Sequence, residues 1–186
     1  MTNKEIRAVY TDDSIRVYQA YSDKIADEAL QIGTFGMSFK RDRMTWIKPS
    51  FLWMMYRCGW AEKKNQERVL AIDIKKDAFD YIVENAVLSK YNKEFNGDYE
   101  EWKQLIKCSD IRCQWDPERD IYGNPMEYRS IQLGLRGKEL QSYVDEWILK
   151  INDITDYVKR IKKMRDQRQD ITGLLPPERV YRSMAP

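Results

Sequence analysis

Residues 43–60, RMTWIKPSFLWMMYRCGW, restrict the fold more than any other stretch of the chain. Three of the six Trp, three of the eight Met, a Phe and a Tyr fall within them, and that much apolar surface demands burial. Residues 44–47 read as a short buried strand. Pro49 ends it, because a strand interior uses the backbone N–H that Pro lacks. Ser50 has N-cap chemistry for a two-turn helix over 51–57, and Gly59 stands where a left-handed stop is needed. A strand running straight into a short aromatic helix, with Lys48 and Ser50 at the junction, is a common place for ligand groups in α/β proteins. The stretch is read either as core alone or as core with a ligand-facing edge.

The flanking chain alternates strand and helix signals. Residues 6–10 and 15–21 are β-prone runs separated by Thr11-Asp12-Asp13-Ser14, good turn material. Ser22 is read as the cap of a helix to Ile32, with Ile25, Ala26, Ala29 and Leu30 at helical spacing and Gly33 at the stop. VLAIDI, 69–74, suits a strand covered on both faces. Asp77 is read as the cap of a helix carrying Phe79, Ile82, Val83, Ala86 and Val87. A polar connection over 92–98 leads to a helix over 99–107. Residues 111–115 read as a strand ending in the turn Asp116-Pro117-Glu118-Arg119, and 128–135 as another, with Ile131, Leu133 and Leu135 on one face.

From Lys138 to Arg168 the spacing turns helical: Leu140, Tyr143, Val144, Trp147, Ile148, Ile151, Ile154, Val158 and Ile161 recur every three or four residues. Asp153 or Thr155 offers a break. The end of this run is basic, which suits a solvated helix terminus or a phosphate- or RNA-facing surface. Residues 173–186 form a Pro-containing tail that packs across the domain or stays loose. The expected fold is therefore α+β: a single domain over 1–186, with a core over 1–136 built on a small split, mostly antiparallel sheet, a long helical segment over 138–168, and the tail.

Composition removes several chemistries. With no histidine in 186 residues, Ser-His-Asp and Cys-His catalysis and His-ligated metals are excluded, so proton transfer falls to carboxylates or other side chains. Three cysteines with no CxxC pair point to reduced thiols rather than to zinc or a disulfide, and no metal is expected. Neither GxxxxGK[ST] nor GxGxxG occurs. A net charge of +2 with 42% hydrophobic residues argues for no particular partner, and no apolar run approaches bilayer length, so no membrane association is expected. The N-terminus has no apolar signal-peptide core, and the expectation is a cytoplasmic protein.

The strings IRVYQAY, RMTWIKPSFLWMMYR, QERVLAIDI, QWDPERD and RSIQLGL closely resemble a bacterial and fungal family catalogued as domain-of-unknown-function family 4291, over about residues 6–181. IRVYQAYS, leading into a helix that ends in LQIG, also resembles the opening unit of ADP-ribosyltransferases. Residues 44–56 resemble their next strand and short Ser-bearing helix, and 69–74 their central strand. That second resemblance implies an ADP-ribosyltransferase-like fold that binds NAD or a related nucleotide, with transfer of ADP-ribose to a protein or RNA acceptor. It places Gln19 where the family carries His or Arg on its first strand, and Glu118 or Glu127 as the carboxylate facing an oxocarbenium-like transition state. Tyr18, Tyr21 and Tyr56 would offer stacking faces. Arg16, Arg43, Lys48 and Arg119 would offer charge for a pyrophosphate, and Ser50 would cap its helix or donate to a phosphate. Such a site requires Gln19 and Lys48 to face the same cleft. The rival readings are an RNA- or nucleic-acid-binding or processing module and a non-catalytic interaction protein docking through its Trp-rich helix.

Overall fold

The computed structural model describes residues 4–93 and 97–184. Among the described residues, nine strands form two sheets, and helices pack between and around them. In the smaller sheet, β2 (Ser14–Tyr21) pairs along its whole length with β4 (Arg68–Lys75), and β4 pairs on its other side with β8 (Ile148–Asp153). Both partners run antiparallel to β4. The central strand is apolar on both faces, as a doubly covered strand must be. Leu70, Ile72 and Ile74 face one core together with Ile15 and Val17, whereas Val69 and Ala71 face another with Tyr18.

The larger sheet runs in the order β5 (Val87–Leu88), β6 (Ile111–Arg119), β7 (Pro125–Leu135), β1 (Lys4–Ala8) and β9 (Arg179–Met184). Two strands share one edge of the long β7. β1 meets its first half in parallel, at Lys4↔Arg129, and β3 (Thr45–Ile47) pairs antiparallel with its end, Thr45↔Leu135 to Ile47↔Leu133. β5 and β6 are also parallel, while β6–β7 and β1–β9 are antiparallel. The sheet is thus mixed.

Among the described residues the α-helices include α1 (Asp23–Ile32), α2 (Phe51–Cys58), α3 (Lys76–Glu84), α4 (Tyr99–Cys108), α5 (Gly137–Ser142) and α6 (Thr155–Asp166). The punctuation around α2 is as expected: Ser50 Oγ accepts from Trp53 N at 3.1 Å, and Gly59 closes the helix at φ 59°. α1 and α3 supply Ala26, Ala29, Phe79 and Ile82 to the first core. α2 and α6 cover the other face of the small sheet with Phe51, Met54, Met55, Val158 and Ile161.

Several expectations are corrected. The helical run over 138–168 is interrupted: α5 passes into a π-helical turn, Tyr143–Trp147, and then into β8. The open edge of β4 explains this, since its unpaired backbone groups are satisfied only by a third strand. Ile148 and Ile151, spaced for a helix, instead take register with Ile74 and Ile72. The break itself is where the sequence placed it, with Asp153 Oδ1 accepting from Thr155 N at 2.8 Å ahead of α6. Asp116-Pro117 makes no turn, because β6 runs on to Arg119 through an irregularity at Pro117 that accommodates the missing N–H. Asp77 lies inside the first turn of α3 and bonds only its neighbour Ala78 N, and Val87 belongs to β5. The tail packs across the structure as an edge strand on β1.

Arg68 joins three of these elements. Its guanidinium meets Asp153 of β8 at 2.5 Å and Asp27 and Asp23 of α1 at 2.6 and 3.3 Å. Partly exposed ion pairs are weak singly, but one forked donor holding three carboxylates is a network. Arg68→Met is expected to lower stability by about 1–2 kcal/mol in low salt, and the loss should shrink at high ionic strength. Urea unfolding at two salt concentrations checks both parts.

Candidate functional site

The two sheets touch where β3 gives way to α2. Lys48, just past β3, accepts Tyr18 N through its carbonyl at 2.7 Å, a bridge between β2 and the larger sheet. A cleft of about 860 Å³ opens beside it. β2 contributes Gln19 and Tyr21, β3 Thr45 and Trp46, α2 Met54 and Arg57, and β6 and β7 contribute Gln114 and Gln132. Lys40, Arg43, Lys48 and Arg57 bring four basic side chains to the wall, and among the described residues no Asp or Glu lines it. The adjacent Arg41 is paired with Asp145 at 2.9 Å, but these four have no ion-pair partner among the described residues. Gln19 and Lys48 therefore face one cleft, as the sequence reading required.

Gln19 is buried, and its amide is saturated by the protein. Nε2 donates to Tyr21 Oη at 2.8 Å and Thr45 Oγ1 at 2.9 Å, with Trp46 O at 3.4 Å, and Oε1 accepts from Tyr143 Oη at 2.8 Å. The network locks β2, β3 and the π-helical turn together and shapes the cleft floor. Burial pushes the Tyr21 hydroxyl up to about 12, although Thr45 and Gln19 oppose the shift.

Lys48 is only 5% exposed. Its ammonium has one acceptor, Trp46 O at 3.3 Å, and lies 5.5 Å from the centroid of the Trp53 ring. Burial lowers its pKa to about 7; the Arg57 charge pushes the same way, and Asp116 and Cys58 push back. Asp116 stands behind the wall, its two carboxylate oxygens held by Gln114 Nε2 at 2.8 Å and Gln132 Nε2 at 2.7 Å.

Two residues further along β6, Glu118 is 3% exposed. Its Oε1 accepts from the Arg119 backbone N–H at 2.8 Å rather than from the Arg119 guanidinium. Ser50 and Ser130 lie beside the carboxyl, Ser130 Oγ with no partner at bonding distance. Burial raises Glu118 above the usual carboxylate range, against the pull of these neighbours and of the Arg7 charge. A second acid stands next to it: Glu178, from the tail, accepts Phe51 N at the start of α2 at 2.6 Å. Burial, reinforced by the Glu118 charge, pushes Glu178 up to about 8, although the Phe51 N–H and Arg7 oppose it.

The remaining predicted ligands lie outside the cleft. Arg16 makes a forked pair with Asp73 across β2–β4, at 2.8 and 2.9 Å, on the opposite face of the small sheet. Tyr18, one residue before Gln19, points to that face too and packs edge-on to Phe51 with its hydroxyl unpartnered. Tyr56 is stacked by the Arg119 guanidinium at 4.1 Å, so these two occupy each other. Glu127 is exposed near the start of β7. Ser50 caps its helix. Gln19, Tyr21, Arg43 and Lys48 are brought together in the cleft, with Ser50 and Glu118 meeting behind it. Cys58, Cys108 and Cys113 are free thiols.

Sequence reasoning missed Arg57, Gln114, Gln132, Asp116 and Glu178. For β6 and β7 a signal existed. Gln114, Asp116 and Glu118 alternate along one strand, opposite Gln132 and Ser130 of the other, so a polar row was written with period two. Ending the strand at Trp115 hid it. Glu178 gave no such signal, since its place depends on where the tail crosses.

Along the basic end of α6, Lys162 pairs with Glu62 and Asp166 at 3.0 and 2.8 Å, and Arg165 pairs with Asp166 and stacks on Trp60 at 4.6 Å. Fold and cleft together define a mixed α/β protein with a basic hollow at the meeting of two sheets. The chain belongs to the family described as a domain of unknown function (DUF4291), whose model matches residues 5–181. Comparison with curated proteins finds no match. Among the described residues, no helix is long and apolar enough to cross a membrane.

Proposed function

We propose that the cleft binds NAD or a related phosphate-bearing nucleotide. The observation that carries this reading is the set of four basic side chains, Lys40, Arg43, Lys48 and Arg57, around a hollow of about 860 Å³, with no ion-pair partner for them and no carboxylate in its wall among the described residues. A pyrophosphate supplies the missing negative charge, and Arg43 and Arg57 engage its oxygens with forked, charge-assisted hydrogen bonds. Gln114, Gln132, Asn65 and Gln66 add neutral amides able to meet ribose hydroxyls and base edges. The volume lies within the usual range for small-molecule sites.

ADP-ribosyl transfer is the finer form of this proposal. An oxocarbenium-like ribose needs an ionised carboxylate nearby. Asp116, gripped by two cleft-lining glutamines, suits that task better than Glu118, whose burial favours the neutral acid. Titration calorimetry with NAD, ADP-ribose and ATP tests the binding. Arg57→Gln is expected to weaken the affinity about tenfold, the value of one charge-assisted contact. An absence of heat for all three ligands at millimolar concentration sinks the nucleotide reading. NAD that survives long incubation equally with wild type and Asp116→Asn limits the protein to binding.

A further inference from the structure

We propose that Lys48 is a nucleophilic amine that condenses with phosphate-bearing aldehydes or ketones in this cleft. The inference uses the same hollow as the nucleotide reading but does not need a nucleotide. A lysine retained for charge alone is expected to be paired with a carboxylate or to reach water, and Lys48 does neither. It is 5% exposed, and its nitrogen has one long contact, to Trp46 O at 3.3 Å, with the Trp53 ring below it. Arg57 on α2 faces it with like charge, and Cys58 of the same helix and Asp116 of β6 are the other titratable groups acting on it. Burial next to a second cation is how proteins keep a lysine uncharged near neutrality, and only the uncharged amine attacks a carbonyl.

The surroundings supply the other parts. Lys40, Arg43 and Arg57, set around the wall that Lys48 lines, are the groups to hold a phosphate while the carbonyl meets the amine. In the reaction the Nζ lone pair forms the C–N bond and the carbonyl π pair moves to oxygen. The amine's two protons both pass to that oxygen, the first forming the carbinolamine hydroxyl and the second protonating that hydroxyl as the leaving group. The C–O bond then breaks, water leaves, and a C=N bond to Lys48 remains. No oxidant or reductant is required.

The test uses pyridoxal 5′-phosphate as probe, with borohydride to reduce any imine to a stable secondary amine and peptide mass spectrometry to place it. Substoichiometric probe is expected to label Lys48 ahead of the exposed lysines, and labelling of this residue should rise through neutral pH. Pyridoxal without its phosphate should label Lys48 at least tenfold less. Lys48→Arg should remove this fast label while leaving the circular dichroism spectrum unchanged, and Lys48→Met supplies a second variant if the larger Arg does not fit. Label spread over surface lysines with no preference for Lys48, or equal labelling by pyridoxal, overturns the proposal. Nucleotide binding without Lys48 labelling removes this inference alone, and labelling without nucleotide binding removes only the nucleotide.

Discussion

Glu178→Gln is expected to stabilise the protein at pH 8 and to leave it unchanged near pH 4.5. The carboxyl of Glu178 titrates near 8 in the folded chain, against an ordinary value of 4.5. Between those limits the folded state holds a proton that the unfolded state releases. Stability from this group is therefore fully present below about 4.5 and is lost as pH rises through 8. Glutamine copies the protonated acid: its Oε1 still accepts the Phe51 N–H, and no charge has to form beside Glu118. The gain at pH 8 should be on the order of 2–4 kcal/mol after discounting for partial exposure, or roughly 5–10 °C in Tm for a chain of this size. Thermal unfolding of both proteins from pH 4.5 to 8.5 measures it.

The neighbouring acid sharpens this expectation. Because Glu118 raises Glu178, Glu118→Gln should move the Glu178 transition to lower pH, and the double variant should gain less than the two single gains combined. A Glu178→Gln protein no more stable than wild type at pH 8 means that Glu178 is ionised in the fold. In that case the N-terminus of α2 holds an anion rather than a neutral acid.

How far the chain can be read without coordinates depends on whether the deciding contact is local. Ser50, Gly59 and Gly33 act on the turn beside them, and their roles were legible. VLAIDI declares its double burial by having almost no polar residue. In contrast, the helical spacing of residues 148–154 is a true local signal that a distant demand overrides, the open edge of β4. The site divides in the same way. Lys48 was legible because the Pro after it fixes its direction. Arg57 was not, since a cation at the end of a short helix gives no sign of what it faces. Tyr18 and Gln19 show the limit of listing residues by neighbourhood: adjacent on one strand, they serve opposite faces and different cores. The carboxylates illustrate it again. Asp116 and Glu118 share a face of β6, yet one is held by the side-chain amides of Gln114 and Gln132 and the other is buried beside the tail.

Lys48→Met should shift stability with the opposite pH signature. The lysine titrates near 7 in the fold and near 10.5 when free. Below 7 the folded state carries a desolvated ammonium, and that cost is fully present there. It fades as pH rises from 7 to 10.5, because in this window the unfolded chain binds a proton that the folded one does not. Methionine keeps the length and apolar contacts of the side chain and gives up one long hydrogen bond and the contact with Trp53. Discounting those, the variant should be more stable than wild type by on the order of 1–3 kcal/mol at pH 6, with the difference closing by about pH 10. Urea unfolding at both pH values decides the matter. A variant weaker than wild type at pH 6 means that the ammonium is well satisfied, which removes the amine chemistry proposed for it. A stable Lys48→Met that no longer forms the imine instead places Lys48 among residues that a fold tolerates at a cost in stability for what they do.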